Sequence, residues 1–318
     1  MNIAKNIRVF AVFIALSFAA SNAAAGDPVS GGVVSVDPAV TDLAGLDQQI
    51  AIDREARPEA YAAVETVRLE APDMDRMKRG RLAVMGPAFQ SLGPDATLAL
   101  ADALLDDRGF DVAQRPSVRQ AWRVGMLNAL RHWRDPAIRP ALEALLQRPE
   151  NDLVVVRATA EALAMLMDDG AADFLFGEIQ GEDNRSLTIA SALSMCRRAH
   201  VAQFLAGRLD NANGGQARAI YLEAVSDVAN SWAWETDAVA ASGESDDTRS
   251  IARDALLDFY MEHDGVFAKE AMKGILLANV DDTEVILGKM RIDATAAERK
   301  KIDFLSERVR NNPLNRRR

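Results

Sequence analysis

This chain of 318 residues holds one cysteine, three histidines and three tyrosines, and aromatic residues make up only 6% of it. The lone Cys196 excludes an intrachain disulfide and any zinc site built on paired cysteines. It follows the apolar end of a helical stretch, where a free thiol behaves as a small buried hydrophobe. His132, His200 and His263 stand in no H-E-x-x-H or comparable arrangement. His200 and His263 fall at the same place in two repeated segments, seven residues after Leu193 and Leu256, with the segment of Val225 between them, and read as turn or surface residues rather than joint ligands. A P-loop, a dinucleotide fingerprint, a G-x-S-x-G elbow and an EF-hand loop are all missing. The sequence therefore gives no catalytic, cofactor-binding or metal-ligating residue to expect, and the chain does not read as an enzyme.

Apolar runs long enough to span a membrane are missing too. The longest, Val9 to Ala20, is too short for an ordinary span. Lys5 and Arg8 precede it and Ala23-Ala24-Ala25 follows, which is the layout of a cleavable secretory signal. Residues 1–25 are expected to be removed, taking two positive charges with them, and the protein is expected outside the cytoplasm, periplasmic or secreted. Positive charge is in short supply throughout: 37 Lys and Arg face 47 Asp and Glu, a net charge of −10. That balance disfavours nucleic acid, whose phosphates require Lys and Arg. Acid pairs such as Asp106-Asp107, Asp168-Asp169, Asp246-Asp247 and Asp281-Asp282 fall at helix boundaries, where carboxylates cap free N–H groups.

What the chain does have is a repeat. Leu130, Leu163, Leu193, Val225 and Leu256 recur at spacings of 33, 30, 32 and 31 residues, and Arg123, Arg157, Arg185, Arg218 and Arg249 each precede one of them by six to eight positions. A fixed period of this size marks stacked helix pairs, since neither helix of a pair buries its apolar face alone. The clearest unit opens with VRATAEALAMLM from Val156, breaks at Asp168-Asp169-Gly170 and continues with AADFLFGEI. The repeat arginines are expected to bond acids or carbonyls of adjacent units.

The phrase carried by Val156, Arg157, Ala160, Ala162 and Leu163, with Asp169 and the Ala171–Leu175 stretch after it, resembles HEAT-like repeats, in particular the short class found in the phycobilisome-lyase family. The resemblance implies an all-α fold, a right-handed α-solenoid of HEAT/armadillo-like helix pairs. It implies little about activity, because one array serves scaffolds, lyases and other enzymes. The expected organisation is a flexible leader over 26–40, an irregular helical cap and first repeat over 41–115, repeats over 116–290, a C-terminal helix over 291–311 and a disordered basic tail over 312–318. Within the cap, helices are expected at about 41–57, 58–71 and 74–92.

Function is expected to be protein or peptide binding. The second helix of each pair would line a concave face carrying Arg139, Glu143, Glu178, Gln203, Arg208, Lys269 and Lys273. The one interruption of the rhythm, Ser231 to Thr248, puts Trp232, Trp234 and Glu235 in a loop, where binding residues concentrate. The plain alternative is that one tryptophan packs beneath that loop and the other shields a neighbouring helix. A structural subunit of an envelope assembly and a lyase- or chaperone-like protein are the rival expectations.

Overall fold

The computed structural model of the chain describes residues 43–106 and 115–317. The expected signal and leader lie outside the described residues. Among these, all regular secondary structure is helical. Four helices open the fold: α1 (Leu43–Ala56), α2 (Pro58–Met77), α3 (Gly86–Gln90) and α4 (Thr97–Asp106). The central part comprises α5 (Pro116–Trp133), α6 (Arg139–Gln147), α7 (Leu153–Ala164), α8 (Asp169–Glu178), α9 (Asn184–Leu193), α10 (Ala199–Asp210) and α11 (Gly215–Val228). After a 3-10 turn at Ala233–Glu235 come α12 (Asp237–Ala240), α13 (Ser245–Glu262), α14 (Gly265–Ala278), α15 (Thr283–Asp293) and α16 (Ala296–Arg310).

The helices begin where short acids and hydroxyls can cap them. Asp152 accepts from Val154 N at 3.0 Å, Asp168 from Ala171 N at 2.8 Å and Asp183 from Arg185 N at 2.8 Å. Thr295 and Glu298 form a reciprocal capping box at α16. Alanine then lets the helices approach closely: Ala160, Ala162, Ala164, Ala171, Ala190 and Ala192 are all buried with the repeat leucines in one continuous core.

Helices α5, α7, α9 and α11 pack side by side in chain order, and each is backed by the helix before it: α4 on α5, α6 on α7, α8 on α9, α10 on α11. Four of the five sequence anchors, Leu130, Leu163, Leu193 and Val225, share that row. The fifth does not. α14 packs on α11 and continues the row, while α13 packs on α10 as well as on α11 and α14. Leu256 of α13 therefore belongs to the other row, and its regular spacing from Val225 is a coincidence of length. The backbone shows the same register. Arg134 and Met167 hold a positive φ of 56°, four residues after Leu130 and Leu163, and Asn279 holds 47°, four residues after Ile275. Ile275 is the true counterpart of those leucines. The Ser231–Thr248 segment is thus an addition placed before α13, the helix that packs on α10; it does not replace a helix.

Other sequence expectations also need correction. No single helix covers 74–92. α2 runs through Pro72 to Met77 and the chain then turns before α3. Its last turn is held by Asp75, buried, which accepts from Lys78 Nζ at 2.6 Å and from Ser117 Oγ of α5 at 3.1 Å. The expected boundary at 290 falls inside α15. The start of the basic tail is docked: Asn312 is buried, and its Nδ2 donates to Leu276 O at 2.8 Å.

The repeat arginines largely do what was expected of them. Arg123 pairs with Glu150, Arg185 donates to Leu146 O, Arg218 to Ala212 O at 3.0 Å, and Arg249 to Ala278 O and Asn279 O at 3.2 Å. Cations on the last carbonyls of helices also suit the helix dipole. Arg157 differs: it pairs with Glu161 of its own helix, a carboxylate shared with Arg131 of α5.

Cys196 is fully buried, and burial pushes its thiol up to about 12. The reactive thiolate is therefore scarce at neutral pH. Iodoacetamide at pH 8 is expected to leave the folded protein unmodified and to alkylate it fully in denaturant. Rapid native-state alkylation, read by mass spectrometry, would contradict this placement.

Candidate partner-binding groove

The added segment is tied down on three sides. Trp234 is 6% exposed and its Nε1 donates to Val228 O of α11 at 3.1 Å. Ser231 N donates to Leu277 O of α14 at 3.0 Å. Glu244 accepts from Ala199 N at 2.8 Å and pairs with Arg198 at 2.6 Å, so it caps α10, which has no side-chain cap of its own. Trp234 is accordingly the tryptophan beneath the loop. Trp232, 41% exposed, and Glu235, also exposed, remain on the surface. A small pocket of about 240 Å³ lies beside Trp234 and Glu235 and reaches Arg249 and Leu314.

The expected concave-face residues do not all lie on one row of helices. Glu143 is 7% exposed and bound to Arg139 at 2.5 Å; Arg139 also reaches Asp168 at 3.2 Å and lies against Gly170. That pair clips α6 to α8 and is not free to meet a partner. Arg208 donates to Ile179 O and lies over the Phe204 ring. Burial raises the carboxyl of Glu178, which Arg185 partly offsets. Gln203 is exposed on α10. Lys269 and Lys273 are exposed on α14, with Lys273 paired to Glu270 at 2.7 Å. α14 belongs to the α5–α11 row, so these lysines and Arg139 sit on different rows. The register shift at the added segment, invisible in the spacing, separates them.

The same shift creates a site the sequence reading missed. By packing on α10, α13 forms a groove of about 560 Å³ with it. Its floor is apolar: Leu209, Ala212 and Phe259 are buried, and Ile251 and Ala255 half-buried. His263 also lines it, stacked on Phe259 at 3.9 Å with its Nδ1 3.0 Å from Phe259 O. Exposed on the walls stand Asp210, Asp258 and Glu262. The walls hold one cation, Arg218, whose Nε is spent on Ala212 O. Partial shelter by the groove raises the carboxyl of Asp258, and Asp254, Glu262 and Asp210 push it the same way. Helical spacing explains the wall: residues 258 and 262 are four apart and share one face of α13, continuing the line of Asp254 one turn earlier. That stripe was legible in the sequence; its neighbour across the groove was not.

No protein-family model matches the chain, and no curated protein matches it. Among the described residues, no group of three or more His, Cys, Asp or Glu is placed to hold a metal ion, and no helix is long and apolar enough to cross a membrane.

Proposed function

We propose that this protein is a binding protein that takes a basic, partly apolar segment of a protein or peptide partner into the groove between α10 and α13. The observation that carries the reading is the trio Asp210, Asp258 and Glu262 lining one groove over an apolar floor, with no ion pair of their own among the described residues. Like charges gathered this way repel; an incoming Lys or Arg removes the repulsion, and its aliphatic stem covers Leu209 and Phe259. The architecture we infer is a right-handed α-solenoid of HEAT-like pairs, in line with the sequence resemblance and the side-by-side helix row. Export through residues 1–25 would place the groove outside the cytoplasm, facing exported or envelope partners.

The test is a fluorescence titration with an amphipathic Lys/Arg/Leu peptide and its Glu-for-Lys counterpart. The basic peptide is expected to bind and the acidic one to fail. Asp258→Asn with Glu262→Gln removes two exposed charge partners, each worth about 0.2–1 kcal/mol, so affinity should fall roughly 2- to 30-fold. Because Asp258 is raised, it loses its charge at a higher pH than an ordinary aspartate, and affinity should begin to fall as pH drops from neutral toward the usual carboxylate range. An acid with a raised folded-state value opposes folding while ionised, so Asp258→Asn should not reduce stability. Equal binding of both peptides, or no change in the double variant, would refute the groove.

A further inference from the structure

We propose that the groove between α10 and α13 takes the α2–α3 turn of a second copy of this chain, residues 76–84, so that copies join turn to groove. The inference rests on the reading of the groove as a site for a basic, partly apolar segment, and it names that segment. Arg76, Lys78, Arg79 and Arg81 place four cations in nine residues that hold no acid. Arg76 pairs with Asp73, and Lys78 with Asp75 at 2.6 Å. Arg79 and Arg81 are exposed and make no hydrogen bond or ion pair among the described residues. Met77 and Val84 flank them at 74% and 78% exposure. Ala83 and Met85 are buried on either side of Val84, so the backbone itself turns that valine outward.

The turn is held at both ends. Asp75 ties Lys78 to Ser117 of α5 at its start, and Met85 is buried against Gly125 of α5 at its end. A segment fixed in this way loses little freedom on docking. Its spacing suits the groove. Side chains four apart on a helix, as Asp258 and Glu262 are, stand about 5–6 Å apart. Arg79 and Arg81 are two apart, and two residues span at most about 7 Å. Each arginine can therefore meet one acid of α13, with Asp210 of α10 in the same groove. Met77 or Val84 supplies the apolar side chain for the floor of Leu209, Ala212 and Phe259. Within one copy the turn's helices pack on α4 and α5, whereas α10 and α13 make the groove, and the occupant is a neighbour's turn. Such a contact is heterologous: it leaves one turn and one groove open at the ends and propagates unless a ring closes.

The experiment is sedimentation velocity of the full chain over a range of concentrations. Wild type is expected to form oligomers that grow with concentration and weaken as salt screens the charges. Arg79→Glu/Arg81→Glu sets acid against acid and should weaken association about tenfold or more. Asp258→Asn/Glu262→Gln should weaken it roughly 2- to 30-fold, as for the peptide. Circular dichroism confirms that both fold. The decisive sample mixes the two variants: one keeps its groove and the other its turn, so a dimer that grows no further is expected. A wild type that stays monomeric while its groove binds the Lys/Arg/Leu peptide overturns the self-association and leaves the groove reading standing. Failure of the peptide to bind the Arg79→Glu/Arg81→Glu chain, whose groove is intact and empty, overturns both. Association that survives in the turn variant but is lost on removing residues 316–318 overturns the turn as occupant and makes it the basic tail.

Discussion

Trp234→Ala is expected to lower stability by about 3–5 kcal/mol, the usual cost of emptying a buried tryptophan site. The indole is almost wholly enclosed and supplies the hydrogen bond that closes the end of α11. Losing it unseats the segment whose Glu244 caps α10, so the damage should spread to the groove. Trp232→Ala should change stability by less than about 0.5 kcal/mol, as surface substitutions do. Urea unfolding of the two variants decides this. Equal effects would show that the segment is not anchored through Trp234. The comparison also settles what two tryptophans in one loop mean: one is an anchor, and only the other is offered to the surface.

Gly274→Leu should be nearly as costly. Even a Cβ at Gly274 would collide with Ser226 of α11 and approach Leu256 Cδ1 to 2.9 Å. Overpacking at such a contact costs about 1–3 kcal/mol, and more where backbone must move. The effect reports on the register of the array, because α14 meets α11 there only if α14 continues the α5–α11 row. Ser226→Gly should recover part of the loss in a double-mutant cycle, since the two sites touch. Independent, additive effects would mean that the helices are not neighbours.

Much of the helical layout was readable from residue order. The anchors at Leu130, Leu163, Leu193 and Val225 sit on one row, the Asp caps start their helices, and Cys196 is buried. These features are local, set by three- and four-residue periodicity and by capping chemistry. The regular interval to Leu256 was misleading because interval alone does not say which row a helix joins; the added segment carried the chain across to the other side. That error propagated to the candidate surface. Arg139 and Lys269 were placed on one face because they held equivalent positions in a uniform repeat, and the repeat is not uniform. Glu143 looked like surface charge because helical spacing shows Arg139 beside it but not that Glu143 is buried where Arg139 reaches Asp168 of the next unit. The acid stripe of α13 was visible as spacing, yet its meaning depended on α10 lying across from it. Pro72 inside α2 shows the same limit, since the contact that holds that turn comes from Ser117, far along the chain.

The central claim is that a basic partner segment lies between α10 and α13. Hydrogen exchange of the full chain, with and without saturating Lys/Arg/Leu peptide, tests it most directly. The account predicts added protection over 203–212 and 251–263, weakened in Asp258→Asn/Glu262→Gln. Protection centred instead on 231–237 or along α6 and α8, or none at all, would contradict it.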